Sequence, residues 1–338
     1  MRIRFTILIV AVLAATLLSR GERRTSFLAG RRSNFTLSAA ENSVPARDSV
    51  LDELIRLQHD QGLTITWYED VLDAVSFNHR TATGGVRLPF LMPKMSGAVS
   101  SDGTNVAGDV RDASGRLILG VVRSDGSDPR EYQGRTPIDF CWSHDSTSIA
   151  LTNSRGRRTA SIEIVNVSTK AARLIKANVE ERWHFTSQCW SPDDKQIVFE
   201  NGGSTQIYDI ASDKIRDLGK GLNPTWSSDG GWIAFRDHDT YYAIRPTGLD
   251  KRELFHKKNA TSGLYWSPDS RIVAYVSLAG ILEGGVLLDV ETYRLRVRRL
   301  DDNSEDWVAN GVSCCINYQW VANPELLKRV ITSEAVSH

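Results

Sequence analysis

Along most of the chain, short apolar runs alternate with tight polar turns and do not recur at the spacing of a surface helix. The clearest unit is a short run ending at Trp, followed by a turn of the Ser-Pro-Asp-Gly type and then by an apolar run such as Ile-Ala-Phe. Proline presets φ in such a turn, Asp hydrogen-bonds the backbone two residues on, and Gly accepts a positive φ. The pattern therefore predicts two adjacent antiparallel strands. The unit occurs four times, at positions 140–151, 188–199, 224–235 and 264–275.

The spacing of this unit is typical of one propeller blade. A weaker copy at 98–107 precedes the four, and a degenerate copy near 318–321 follows them. The equivalent positions are separated by 43, 48, 36, 40 and 54 residues, which is the range of a four-stranded blade. Their side chains are expected to pack between blades: Val99, Trp142, Trp190, Trp226, Trp266 and Trp320. The turn aspartates are expected to cap the turns: Asp102, Asp145, Asp193, Asp229 and Asp269.

A second polar hairpin follows each unit and predicts strands three and four of each blade. One copy of this hairpin, at 75–88, precedes every Trp unit, whereas a first strand near 317–320 has too few residues after it for a full blade. Joining the two ends would complete one blade, close the ring and remove open sheet edges. The count predicts an all-β, six-bladed propeller. Two divisions of the composite blade stay open: two strands from each end, or three from the N-terminal end if 63–67 forms a strand.

The Trp-Ser-Pro-Asp-x-(Lys/Arg)-x-Ile-Ala-Phe pattern resembles the TolB-like, WD-type propeller repeat over about residues 62–335. Proteins with this repeat include the periplasmic TolB component of the Tol-Pal system, propeller domains of prolyl-oligopeptidase-type peptidases, and oligogalacturonate lyases. The resemblance implies the fold. The sequence departs from the TolB pattern because only residues 25–61 precede the propeller, and from the peptidases because it has no G-x-S-x-G motif.

The first 61 residues carry a different pattern. An uncharged run at 5–18 is 14 residues long, which favours a signal peptide over residues 1–20 and a periplasmic or secreted protein. Because Arg20, Arg23 and Arg24 follow this run, a membrane tether through residues 5–18 remains the alternative. Residues 21–47 are polar and predict a linker. Residues 48–61 predict a short amphipathic helix, capped by Asp48 or Ser49, that packs on the propeller at 62–338.

Composition narrows the classes of partner. The 338 residues are 41% hydrophobic and 24% charged, as in ordinary soluble proteins. Lys+Arg and Asp+Glu both total 41, and beyond the first 24 residues the net charge is about −4, which disfavours nucleic acid. The four cysteines form no C-x-x-C pair, so they are expected to be small apolar core residues. A disulfide between two of them stays open, because its partners cannot be placed from sequence.

Candidate binding residues lie in loops. In a propeller, the loops from strand four to the next strand one share a rim with the turns between strands two and three. We expect segments 153–158, 181–185, 236–239 and 301–307 on that rim. Trp183 and Trp307 lie outside the repeat column, and aromatic and Arg side chains are common interface anchors, although both Trp side chains could instead cover blade ends. The predicted partner-binding residues are Arg182, Trp183, His184, Arg236, His238 and Trp307.

No sequence motif indicates a catalytic or metal-binding site. The seven histidines are scattered without an H-x-H or H-x-x-x-H spacing, so we assign no catalytic residue, metal ligand or cofactor. The sequence favours a monomeric, non-enzymatic binding scaffold outside the cytoplasm that presents one rim to a protein or peptide. The alternative is a carbohydrate-active lyase or hydrolase that uses a divalent metal.

Overall fold

Each Trp unit forms the inner part of an antiparallel sheet, and six such sheets follow one another along the chain. The computed structural model describes residues 48–68, 71–91, 98–182, 184–278, 293–312 and 317–323. In these residues the predicted six-bladed β-propeller is confirmed, together with one short helix near its N-terminal end.

The strands divide as follows. The composite blade contains β1 (Leu63–Tyr68), β2 (Leu72–Ser76) and β3 (Thr81–Val86), and blade 1 contains β4 (Ala98–Val99), β5 (Asn105–Arg111), β6 (Leu117–Arg123) and β7 (Arg130–Tyr132). Blade 2 contains β8 (Pro137–Trp142), β9 (Ser148–Gly156), β10 (Thr159–Asn166) and β11 (Ala172–Glu180), and blade 3 contains β12 (Gln196–Asn201), β13 (Ser204–Asp209) and β14 (Lys214–Lys220). Blade 4 contains β15 (Leu222–Trp226), β16 (Ile233–Asp237), β17 (Thr240–Ile244) and β18 (Arg252–His256). Blade 5 contains β19 (Tyr265–Trp266), β20 (Ile272–Leu278), β21 (Tyr293–Arg299) and β22 (Glu305–Val312), and β23 (Gln319–Ala322) returns to the composite blade.

The ring closes through the composite blade. Strand β23 pairs antiparallel with β1, with Ile65 opposite Trp320, and the sheet order is β23-β1-β2-β3. One strand therefore comes from the C-terminal end and three from the N-terminal end, which is the second of the two divisions left open by the sequence.

The Trp column packs between neighbouring blades, as expected. All five Trp side chains are buried, and four indole N–H groups donate to the inner strand of the preceding blade. The acceptors are the carbonyl of Ala98 for Trp142 (3.0 Å), the carbonyl of Cys141 for Trp190 (3.3 Å), the hydroxyl of Thr225 for Trp266 (3.2 Å) and the carbonyl of Tyr265 for Trp320 (2.8 Å). Each bond thus ties two blades together at the inner end of the sheet.

The turn aspartates act as caps. Each accepts a hydrogen bond from the Ser hydroxyl two residues before it and from the backbone N–H two residues after it, as Asp145 does from Ser143 (2.6 Å) and Thr147 (2.9 Å). The same pair of bonds is made by Asp102, Asp193, Asp229 and Asp269. These carboxylates are therefore used to fix the turns.

Helix α1 (Val50–Gln61) begins at Ser49, whose hydroxyl accepts from the backbone N–H of Asp52 at 3.1 Å. Its buried face packs in the core cluster shared by blade 5 and the composite blade. The Arg299 side chain, only 2% exposed, donates to the Glu53 carboxylate through Nε at 2.9 Å and Nη2 at 2.5 Å. A buried ion pair thus anchors the first turn of the helix to the end of β21.

Candidate functional site

The centre of the ring is crossed by residues 184–189, which we call the axial segment. In blade 3 the inner strand is reduced to a single bridge between Trp190 and Ile197, and the axial segment precedes it. The Ser187 hydroxyl donates to the carbonyl of Tyr318 in the composite blade at 2.5 Å, and Gln188 Nε2 donates to the carbonyl of Trp266 in blade 5 at 2.7 Å. The axial segment therefore braces blade 3 against blades on other sides of the ring.

Further polar bonds fix the N-terminal half of the axial segment. The Thr186 hydroxyl donates to the carbonyl of Pro224 in blade 4 at 2.8 Å. One carboxylate oxygen of Asp139, in the inner strand of blade 2, accepts from the backbone N–H groups of His184 (2.5 Å) and Phe185 (2.6 Å). Burial raises the pKa of Asp139 to about 6, against the opposing effect of these bonds.

The structure buries His184. Its side chain is 1% exposed, Nδ1 faces the carbonyl of Glu200, and Nε2 lies 2.8 Å from the carbonyl of Glu180. This corrects the expectation that His184 faces a partner, because both ring nitrogens are occupied by backbone acceptors of its own blade or its neighbour. The sequence could not show this, since it did not indicate that the loop turns into the ring.

The neighbouring Arg182 remains accessible. It forms an ion pair with Glu200, whose carboxylate also accepts from the N–H of Gly203 at 2.8 Å, and a longer one with Glu180 at 3.5 Å. Its guanidinium is half-exposed at the start of the loop from β11 to blade 3. Trp183 lies outside the described residues, so its role stays a prediction.

Arg236 and His238 lie together at the β16–β17 turn. Arg236 Nη1 donates to the carbonyl of His238 at 2.8 Å, and His238, with a φ of 53° and its side chain 82% exposed, contacts Asp237 through Nδ1 at 2.8 Å. A hydrogen bond from Lys220 lowers the pKa of Asp237. This turn joins strands two and three, so it belongs to the same rim as Arg182. We call that rim, which carries the strand-four-to-one loops and the strand-two-to-three turns, the upper rim.

Trp307 does not lie on the upper rim, which corrects its predicted position. Residues 300–304 connect β21 to β22, strands three and four of blade 5, so they form part of the opposite, lower rim. The sequence analysis had placed segment 301–307 among the upper-rim loops. Trp307 itself lies in β22, with the guanidinium groups of Arg80 and Arg294 at 5.3 and 5.5 Å from its ring centroid. Arg80 also pairs with Asp306 at 2.9 Å, so Trp307 covers the seam between blade 5 and the composite blade.

The structure adds a disulfide that the sequence left unplaced. Cys141 in blade 2 and Cys189 in the axial segment are paired, with Cα atoms 6.3 Å apart, within the range of a disulfide. For these two residues the disulfide that the sequence left open replaces the expectation of free core thiols, whereas Cys314 and Cys315 lie outside the described residues. Both residues directly precede a Trp of the repeat column in consecutive units, and this equivalence was the available signal.

Sequence analysis also missed two other groups. Asp109 in β5 is 1% exposed, and neither of its carboxylate oxygens has a hydrogen-bond partner among the described residues; burial raises its pKa to about 7. The sequence feature that could have revealed it is an acidic residue within an otherwise apolar strand. The second group is Trp232, which lies in a turn outside the repeat column and contacts two arginines.

The part of the chain that the structure describes contains neither a cluster of metal-ligating side chains nor a membrane-spanning helix. No group of three or more His, Cys, Asp or Glu side chains is placed to hold a metal ion there. No helix among the same residues is both long and apolar enough to cross a membrane.

No protein-family model matches the chain, and no curated protein gives a significant match. Solved structures do. A protein assigned as TolB from Agrobacterium tumefaciens matches with a TM-score of 0.55 at 18% identity, covering 75% of this chain and 92% of that one. TolB from Acinetobacter baumannii matches with a TM-score of 0.54 at 16% identity, covering 77% of this chain and 66% of that one. A chain of the nidogen/laminin complex matches with a TM-score of 0.55 at 11% identity, covering 78% and 99%. At these identities the likeness shows a shared propeller fold.

Proposed function

We propose that this chain is a non-enzymatic binding scaffold that works outside the cytoplasm and presents its upper rim to a protein or peptide partner. The observation that carries the proposal is the axial segment. Its side chains bond the neighbouring blade 4 and, across the ring, the composite blade and blade 5, so this segment fills part of the space around the axis. We therefore assign partner binding to the surface loops, whose positions are fixed by the braced ring.

The upper rim offers suitable groups. Arg182 and His238 keep accessible polar atoms, while their backbones are fixed by hydrogen bonds to neighbouring residues. Preorganised side chains lose less conformational entropy when a partner binds. Among the structural neighbours, the nidogen/laminin complex is by description a protein–protein complex, which supports the same use of a propeller here.

The disulfide supports the proposed compartment. Disulfides persist in oxidising compartments and are rare in the cytosol. The pairing of Cys141 with Cys189 therefore agrees with the signal peptide predicted over residues 1–20, and with a periplasmic or secreted protein.

The proposal is tested by isolating a partner from the native envelope or medium and measuring its affinity for three variants. Arg182→Ala and His238→Ala should each weaken binding by about tenfold, which is the effect of losing one charged or buried contact. Trp183→Ala should weaken it by about 2 kcal/mol or more if Trp183 is a hot spot, with little change in melting temperature. The control is Arg173→Ala on the outer edge of blade 2, where Arg173 stacks on Tyr208.

Two results would overturn the proposal. One is a partner whose affinity is unaffected by all upper-rim variants. The other is a stoichiometric divalent metal whose removal leaves the fold intact but abolishes turnover of a polyanionic glycan, which would identify the carbohydrate-active enzyme instead.

A further inference from the structure

The Trp232 side chain lies between two arginine side chains on the lower rim of blade 4. It lies in the turn between β15 and β16, and the guanidinium carbons of Arg245 and Arg252 are 3.8 and 3.9 Å from its ring centroid. Two guanidinium groups this near one centroid must occupy opposite faces of the indole. The result is a stack of two cations separated by one aromatic ring.

The stack is held in place by backbone contacts. Arg245 Nη1 donates to the carbonyl of Gly231 at 3.1 Å, in the same turn as Trp232. The hairpin that carries both arginines, residues 245–252, is also held from blade 3, where Arg216 donates to the carbonyls of Thr247 (2.6 Å) and Pro246. These bonds fix the position of the cations before any ligand is present.

Arg252 has spare donors, because its side chain makes no hydrogen bond or ion pair within the described part of the chain. Lys251 lies on the opposite face of blade 4, over the rings of Tyr242 (4.4 Å) and Phe235 (5.1 Å), which pack towards blade 3. Among the described residues, neither of the flanking acids, Asp250 and Glu253, pairs with Arg252. The nearest turn carboxylate, that of Asp229, is already used by Ser227 and the N–H of Gly231. The N–H edges of the guanidinium groups therefore point to a site for an external anion.

The chemistry of the stack selects among anions. Both faces of the Trp232 ring are covered, so neither a sugar ring nor a nucleobase can stack on it. Guanidinium edges bind carboxylates with two parallel hydrogen bonds. Leu249, at the tip of the same hairpin and 67% exposed, offers an apolar contact beside the charges. Carboxylates next to an apolar side chain are the recognition groups of an acidic peptide.

We infer that this surface, formed by Trp232, Arg245, Leu249 and Arg252, binds an acidic peptide segment that carries an apolar residue. We call it the lower-rim surface. It goes beyond the proposed upper-rim function, because it lies on the opposite rim and is formed by other residues. A carboxylate of the partner pairs with Arg252, and the partner's apolar residue contacts Leu249.

The test uses the full chain and a fluorescent synthetic peptide in which glutamates flank one leucine. Saturable binding is expected, and raising the salt concentration should weaken it, because exposed charges are screened. Arg252→Gln should reduce affinity by about tenfold, the effect of losing one charge-assisted bidentate contact. Arg173→Gln is the matched control, because Arg173 also stacks on an aromatic ring but already pairs with Asp213. It should bind like the unmodified protein.

Further measurements distinguish binding of the acidic peptide from binding of other anions and from a general effect of charge. Leu249→Ser should weaken the leucine-containing peptide but leave an all-glutamate peptide unaffected. The upper-rim variant His238→Ala should leave both peptides unaffected, so failure here and failure of the proposed function are distinguishable. The inference is overturned if no saturable binding occurs at physiological salt or if Arg252→Gln and Arg173→Gln lose affinity equally. It is also overturned if heparin or anionic lipid vesicles bind in an Arg252-dependent manner and the peptide does not.

Discussion

Replacing Asp109 with Asn should make the protein more stable at neutral and alkaline pH relative to its unmodified form. Asp109 lies in β5, its two carboxylate oxygens are buried and find no partner in the described part of the chain, and burial raises its pKa from 3.8 to about 7. Between these two values the folded protein holds a proton that the unfolded chain has released. Stability contributed by this group is therefore present below pH 4 and is lost as the pH rises towards 7.

The magnitude follows from the size of the shift. About three pKa units correspond to about 4 kcal/mol of stability lost between pH 4 and pH 8. Asn carries no charge at any of these pH values, so the variant lacks this loss. Its buried amide still costs about 1 to 3 kcal/mol when it has no partner, which offsets part of the gain. Subtracting this cost from the gain of about 4 kcal/mol leaves an expected net stabilisation of the Asp109→Asn variant of about 1 to 3 kcal/mol at pH 8.

The assay is urea unfolding of both proteins at several pH values from 4 to 8.5. The difference in unfolding free energy between Asp109→Asn and the unmodified protein should grow steadily up to about pH 7 and then level off. Asp139→Ala is the contrasting variant. Asp139 is equally buried but accepts two backbone N–H bonds, so its removal should destabilise the protein at every pH. A difference for Asp109→Asn that does not depend on pH would refute the reasoning, since it would mean that Asp109 is not protonated in the folded state near pH 5.

Three further predictions concern how the ring is held together. Cys141→Ser should lower the unfolding free energy by about 2 to 4 kcal/mol, and reductant should lower that of the unmodified protein equally; maleimide labelling of Cys141 or Cys189 in the oxidised, denatured protein would contradict the pairing. Deleting residues 317–338 removes β23 and should leave insoluble protein, whereas a soluble truncation that unfolds cooperatively would disprove the closure. Glu53→Ala should cost about 3 to 5 kcal/mol by leaving Arg299 buried without its helix partner, against less than about 1 kcal/mol for the control Asp52→Ala on the same helix turn.

The architecture could be predicted because the repeat encodes it locally. The Asp cap recurs in five blades and the Trp bond to the preceding blade in four, so one interpretation of the unit holds around most of the ring. The number of blades and the composite closure followed from counting these units and from the incomplete pieces at the two ends. Such features need no knowledge of long-range contacts.

The candidate site could be predicted only in part, because it lies where the repeat is broken. The burial of His184 depends on backbone acceptors in blades 2 and 3 and on the path of the axial segment, which replaces an inner strand. The position of Trp307 was wrong because segment 301–307 was assigned to the upper rim, whereas residues 300–304 join β21 to β22 on the lower rim. Trp232 was overlooked because its partners come from the next hairpin and not from its own unit.

The closure of the composite blade also bears on the order of folding. Thr66 and Gln319 are 253 positions apart in sequence and adjacent in one sheet. Bringing two such distant segments together costs on the order of 5 kcal/mol in loop entropy, and contacts of this length slow folding. Until β23 has been made and has paired with β1, the composite blade lacks its inner strand and the ring stays open. Ring closure is therefore a later event than the formation of the blades whose four strands are consecutive in sequence.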